Sequence, residues 1–390
     1  MAIENWVSRD IEALTAFRHD LHENPELLYE CNRTAAKVAE ALRKAGVDEV
    51  VEGLGKTGVV GVIRGKSNAS GRMIGLRADM DALPIEEITG APYASKTPGK
   101  MHACGHDGHT TMLLGAAKHL AETRAFDGTV IVIFQPAEEG GAGADAMIKD
   151  GMFDRFPCDE VYGMHNMPNL PVGHFTLAPG PSMGAVDMLN IRIKGRGGHA
   201  AQPHNTIDPF PALAGIIQAI HGLSARGVDP FDSHVVSLCA VEGGFTHNVI
   251  PEQISLIGTV RTLDEGVRDH IEERLRTIIT QIAAGHGCIG ELDYDRSYPV
   301  LVNHPEETRF AAAAAAKVTG EDNVSLDMVP TLGGEDFAFM LNHVPGAMIH
   351  IGNGPSAQLH NPAYDFNDEV IGWGASFWAQ LVRDRLGAAS

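Results

Sequence analysis

Two apolar rhythms alternate along the first half of this chain. Over Ile11 to Leu21 and over Arg33 to Ala45, apolar residues return every three to four positions, the period of a helix with one buried face. Gly58 to Arg64, Met73 to Arg77 and Thr129 to Phe134 are instead short, nearly continuous apolar runs, the pattern of strands covered on both faces. Thr110 to Thr123 is alanine-rich and predicts a further helix. Helices alternating with buried strands predict an α/β domain with a mixed sheet flanked by helices. The Pro/Gly-rich stretch Leu177 to Ser182 reads as a hinge. Past it come strand Met188 to Lys194, helix Pro209 to Ala225, strands His234 to Val241 and Gln253 to Arg261, helix Glu265 to His286, and strand Glu291 to Arg296. That order is βαββαβ, a ferredoxin-like arrangement. After Tyr298 the chain returns to helix and strand. The predicted organisation is therefore a large domain built from residues 1–184 and 298–390, with a smaller domain, 185–297, inserted in it.

Candidate chemistry concentrates where the predicted strands end. Met101 to His109 puts three imidazoles, a thiol and a carboxylate into nine residues, with glycines that let the backbone turn around a point. Cys and His are preferred ligands of zinc and neighbouring transition metals, so Cys104 and His106 predict a metal site. The strand Thr129 to Phe134 leads into Gln135-Pro136-Ala137-Glu138-Glu139, which places two carboxylates at its end, where open α/β sheets bind ligands. Neighbouring side chains point in different directions, so one can hold a metal while the other faces the reacting water. His165 closes another apolar stretch, and His360 follows a strand-like segment and a Gly-Asn-Gly turn. Cys104, His106, Glu139, His165 and His360 make five donors, too many for one tetrahedral ion and suited to two ions that share a bridge and a water. Upstream, Asp79-Met80-Asp81 ends a strand, and its carboxylates, Asp81 above all, suit the orientation of metal-binding imidazoles from behind.

Taken in order, Arg77-Ala-Asp-Met-Asp-Ala-Leu-Pro84, His102-Ala-Cys-Gly-His-Asp-Gly-His109, Gln135-Pro-Ala-Glu-Glu-Gly140, Gly163-Met-His-Asn166, Gly197-Gly-His-Ala-Ala-Gln-Pro203, Gly333-Gly-Glu-Asp-Phe337 and Leu359-His-Asn-Pro362 resemble the di-metal amidohydrolase family. That family contains aminoacylases, hippurate hydrolase and auxin–amino-acid conjugate hydrolases, and the resemblance spans nearly the whole chain. The Cys-Gly-His-Asp form is similar to the hippurate and auxin-conjugate branch. Other branches have a His ligand where Asp79 stands, so Asp79 is not carried over as a ligand.

The resemblance implies hydrolysis of the amide bond of N-acyl-L-amino acids with two divalent ions, zinc, manganese, cobalt or nickel. Glu138 would take a proton from the attacking water and return it to the leaving amine. It implies that His199, on the glycine-rich turn of the inserted domain, reaches into a partner subunit's site to stabilise the oxyanion, which makes that domain a lid and dimerisation domain. Asn248 is then a substrate contact. Arg261 would meet the substrate carboxylate, a role that the guanidinium fork suits. The expected assembly is a homodimer, with a homotetramer as the alternative. The runner-up substrates are N-acetyl-diaminopimelate or a dipeptide. A thiol hydrolase with Cys104 as nucleophile, and a structural metal protein, are the readings from other classes.

Composition narrows the partners. Thirty Lys and Arg against fifty Asp and Glu give a net charge of −20, which argues against nucleic acid or an anionic membrane surface. No apolar run reaches membrane-spanning length. Five irregularly spaced cysteines fit a reducing compartment, so a cytoplasmic location is expected, with Cys31, Cys158, Cys239 and Cys288 as ordinary buried or half-buried thiols.

Overall fold

The computed structural model describes residues 5–387 and resolves into two compact units, one of 1–180, 302–329 and 336–390, the other of 181–301 and 330–335. Strands of the first unit are Glu49–Leu54 (β1), Gly58–Arg64 (β2), Met73–Asp79 (β3), Thr129–Gln135 (β4), Glu160–Met167 (β5), Phe175–Thr176 (β6), Val324–Ser325 (β7) and Gly346–Gly352 (β8). They form one sheet in the order β1-β2-β4-β3-β5-β8-β6-β7. β4, β3, β5 and β8 run parallel, while β2 runs against both its neighbours and β6 against β8. Every residue of β4 and of β8 is buried. This is why these strands read as continuous apolar runs: helices cover the parallel core on both faces.

The longer helices of this unit are Asn5–Glu23 (α1), Asn32–Lys44 (α2), His106–Thr123 (α3), Pro305–Thr319 (α4) and Glu369–Leu386 (α5). α3 packs against α1 and α5, and on β3. It begins four residues before the expected Thr110. His106, Asp107 and His109 are all buried, the last two through polar partners, so its first turn carries no apolar period to read. Two glycines set this entry. Gly105 has φ +91°, and a side chain there would meet Asn166 Oδ1 at 2.7 Å and the Tyr364 hydroxyl at 2.8 Å. A side chain at Gly108 would meet the Phe366 ring at 2.4 Å.

Behind α3 lies a buried ion network. Arg18 Nε donates to Asp107 Oδ2 at 2.7 Å, and His22 bridges Asp107 Oδ2 at 2.9 Å and Glu87 Oε1 at 3.3 Å. Burial by itself would lower the His22 pKa, but its bonds to Asp107 and Glu87 outweigh that and push it up to about 9. A folded-state pKa above the unfolded value of about 6.5 contributes stability in full below that pH and loses it as pH rises toward about 9. The melting temperature should therefore decline between pH 6.5 and 9.5. His22→Gln should flatten that part of the curve; a variant with the wild-type slope would assign the decline to other groups.

In the second unit, strands Ala185–Lys194, His234–Glu242, Gln253–Thr262 and Ile289–Tyr298 form an antiparallel sheet, with the first strand between the third and the fourth and the second at an edge. Helices Pro209–Arg226 and Glu265–Gly285 start on Asp208 and Asp264, whose side chains accept the backbone N–H of Phe210 and Val267. Their apolar faces, including Ile216, Ile220, Leu275 and Ile279, close on Leu189, Ile191, Ile193, Leu256 and Val260 of the sheet. Asp187 is buried beneath them and satisfied by Arg268 and the Tyr294 hydroxyl. Cys239 differs from the expectation of a buried or half-buried thiol. It is exposed, because the edge strand that carries it is irregular between Leu238 and Ala240. Among the described residues no helix is long and apolar enough to cross a membrane.

Candidate active site

The five expected donors and Glu138 meet at the carboxyl ends of β3, β4 and β5. Cys104 Sγ lies 3.3 Å from His165 Nε2. His165 Nδ1–H donates to the Asn166 carbonyl at 2.7 Å, which fixes the tautomer and leaves the Nε2 lone pair facing the thiol. His106 Nε2 is 3.9 Å from Glu139 Oε1, and His360 Nε2 is 3.3 Å from the same oxygen. Ligand atoms of Cys104, His106 and His165 lie within 4.8 Å of one another, as do those of Cys104, Glu139 and His360, and those of His106, Glu138 and Glu139.

The local backbone explains how these groups converge. The turn after β4 forces Ala137 to φ +56°, and Gly140 N–H closes on the Glu138 carbonyl at 2.7 Å. Asp81 holds this turn: its two oxygens accept the Glu138 N–H at 2.9 Å and the Glu139 N–H at 3.1 Å, and Oδ1 lies 3.5 Å from His106 Nδ1. His360 has φ +64°, and its N–H donates to the Ala103 carbonyl at 2.8 Å, tying the C-terminal loop to the Cys/His segment. Left-handed backbone at two non-glycine residues of one site is strain that the surroundings maintain.

Charge around the cluster is unbalanced. Asp79, Asp81 and Glu138 are buried and Glu139 is half-buried around His106, with Arg77 and His109 partnering Asp79. Burial would lower the His106 pKa, yet the charges of Asp79, Asp81 and Glu139 push it up to about 10. Both His106 ring nitrogens and Glu139 Oε1 are buried without a hydrogen-bond partner among the described residues. Such atoms ordinarily cost about 1–3 kcal/mol each; a cation would take the His106 Nε2 lone pair and Glu139 Oε1, leaving the Nδ1–H to Asp81 Oδ1, 3.5 Å away. The donor set therefore fits a divalent metal.

The same surroundings disfavour a thiol nucleophile. Burial and the nearby Glu139, Glu138 and Asp79 charges push the Cys104 thiol well above its ordinary range. Burial, with the charge of His109, holds His165 well below the ordinary imidazole range. A reactive thiolate–imidazolium pair requires both shifts in the opposite sense.

Except for Asp79, expected as an orienting carboxylate, the layer that supports these donors was not anticipated from the sequence. Asp79 accepts from His109 Nδ1 at 2.6 Å, and His109 Nε2 lies 2.7 Å from Asn166 Oδ1 and 3.0 Å from the Asn166 backbone N. Arg77, wholly buried, donates to Asp79 Oδ2 at 2.8 Å, Gln135 Oε1 at 2.8 Å and Asp336 Oδ1 at 3.1 Å. Gln135 also donates to Asp336, which accepts the Ala144 N–H as well. The Gly-Gly-Glu-Asp-Phe segment was the available signal for Asp336. His350, on β8 beside β5, is buried and held at about 4 by that burial, with the charge of His109.

The remaining expected residues lie in the second unit. His199 is exposed, in the short strand Gly198–His199 that pairs with Val249–Ile250. Its Nδ1 accepts the Ala201 N–H at 3.1 Å, so in the neutral ring Nε2 carries the proton. Asn248 is adjacent, its carbonyl accepting the Ala200 N–H at 3.1 Å. Arg261 is half-buried, and burial lowers its pKa against the attraction of Asp187.

Fold and clustered donors together define a metallohydrolase. The profile of the peptidase family M20/M25/M40 matches residues 75–384. Over 365 residues the chain is 43% identical to the hippurate hydrolase of Campylobacter jejuni, covering 94% of each chain. It is 41% identical to the N-acetyl-L-cysteine deacetylase of Bacillus subtilis, covering 92% of this chain and 84% of that one. The solved structure of the YXEP protein of Bacillus subtilis, described as a dinuclear metal binding peptidase from the M20 family, superposes with a TM-score of 0.85 at 35% identity, over 98% of this chain and 100% of that one. The chain belongs to the peptidase family M20/M25/M40. It is an amidohydrolase.

Proposed function

We propose that the protein hydrolyses the amide bond of N-acyl-L-amino acids, releasing a carboxylic acid and a free amino acid. The observation that carries this reading is that His106 Nε2 and Glu139 Oε1 are buried with no hydrogen-bond partner among the described residues, in groups that also hold Cys104, His165 and His360. With His360, these residues would hold two divalent ions. Bound there, such ions polarise a carbonyl and lower the pKa of a shared water. Glu138, whose backbone Asp81 fixes, accepts a proton from the attacking water and delivers it to the leaving amine. The hippurate hydrolase and N-acetyl-L-cysteine deacetylase relatives support an acyl group on an amino acid, and a forked guanidinium at Arg261 suits the carboxylate. The cytoplasm is the proposed compartment. The direct test is a panel of benzoyl, acetyl and long-chain acyl amino acids and dipeptides, with metal content measured on the same sample. Turnover confined to dipeptides would replace this reading with a dipeptidase.

His199 donates to the oxyanion in this mechanism, for which its Nε2–H is the available proton. We place it in the site of a second copy, so the active unit is a homodimer in which the second unit serves as lid and contact. Asn248, beside His199, completes the substrate contacts. Mixing inactive His199→Ala and Glu138→Ala subunits should restore about a quarter of wild-type activity, since half the dimers are mixed and one of their two sites is intact. Subunits that verifiably exchange without recovery would exclude the shared site.

A further inference from the structure

His350 lies outside the donor set, yet the sheet puts it beside that set. In the parallel pair β5–β8 it stands opposite His165, and in the antiparallel pair β8–β6 opposite Thr176. Paired residues of adjacent strands share a face. His165, His350 and Thr176 therefore form a row leading away from the metal-binding donors across three strands. The His165 and His350 rings have centroids 6.2 Å apart and are tilted by 35°. The flanking residues Ile349 and Ile351 turn to the other face and join the apolar core.

A residue that only filled space here would be apolar, as its neighbours are. His350 is instead 5% exposed, and its Nδ1 is buried with no hydrogen-bond partner among the described residues. Thr176, 8% exposed, adds a hydroxyl at the next position of the row. A buried polar group left unpaired in the free protein is relieved when a ligand supplies the missing bond, and the same group penalises a ligand that cannot. An imidazole nitrogen here offers one hydrogen bond, which an uncharged hydroxyl or carboxamide can match.

We propose that His350 is a specificity-determining residue: the site favours substrates whose group flanking the scissile amide carries a hydroxyl or carboxamide over their hydrocarbon isosteres. This rests on the reading of the protein as an N-acyl-amino-acid hydrolase.

The test is kcat/KM of the metal-loaded enzyme on two nearly isosteric pairs. These are N-(4-hydroxybenzoyl)glycine against N-(4-methylbenzoyl)glycine, and N-benzoyl-L-asparagine against N-benzoyl-L-leucine. Wild type should favour the polar member of at least one pair. His350→Phe should cut that ratio about 10- to 100-fold, with metal content unchanged. His350→Gln, which keeps a hydrogen-bonding end, should retain part of it and serves as the informative variant if the phenylalanine does not fold. No polar preference in either wild-type pair, or equal losses on both members in His350→Phe, would overturn the assignment of His350 while leaving amide hydrolysis standing. Metal-loaded wild type that turns over no N-acyl amino acid would overturn the underlying reading, and this inference with it.

Discussion

Replacing Glu138 with alanine should lower kcat by about two orders of magnitude or more, the usual scale for loss of general acid–base catalysis, with metal content near wild type. The expectation follows from the division of labour in the turn after β4. Glu138 and Glu139 are adjacent, and Asp81 holds both their backbone N–H groups, so the two side chains depart from a fixed base in different directions. Glu139 reaches Cys104 and His360; Glu138 stands with His106 and Glu139 without entering the thiol group. Glu139→Ala should therefore lose metal together with activity. Elemental analysis beside steady-state kinetics separates the two variants. Near-wild-type turnover in Glu138→Ala would remove it as the base, and loss of metal there would make it a ligand.

Much of this site was legible because its residues carry chemistry that cannot be bland in that company. A thiol and an imidazole two positions apart, with a glycine between them, have few structural reasons to occur together, and an apolar run ending in two carboxylates marks a strand end. The parallel core was legible for a related reason: strands buried on both faces show as unbroken apolar runs. The supporting layer was not. Asp79 apart, which the sequence offered as an orienting carboxylate, Arg77, His109 and Asp336 lie far apart in sequence and are wholly or almost wholly buried, and nothing local says that an arginine inside a strand will meet three acceptors there. Periodicity failed in the same way at the start of α3, where polar residues hold core positions through their partners. Cys239 shows the converse error, since an apolar strand suggests burial but an irregular edge exposes it. Sequence patterns report apolar burial well; they report buried polar networks only when a motif gives them away.

Stripping the metals should reduce activity to background, and a divalent cation should restore it, because every role proposed for Cys104, His106, Glu139, His165 and His360 is to hold one. The thiol gives a second readout that does not depend on turnover. In the loaded protein Cys104 should resist alkylation at any pH, its sulfur being occupied. In the stripped protein it remains buried among Glu139, Glu138 and Asp79, which push the thiol well above its ordinary range. Stripping should therefore not make it reactive at neutral pH; labelling should appear only as pH is raised. The exposed Cys239 supplies an internal reference that labels in both states. Peptide mapping after treatment at pH 7 and pH 10, with and without metal, distinguishes the possibilities. Rapid labelling of Cys104 at pH 7 in the loaded enzyme would mean a free, activated thiolate, and the nucleophile reading would then displace the metal one. Full activity surviving metal removal would lead to the same conclusion by a separate route, since a thiol hydrolase has no need of the ions.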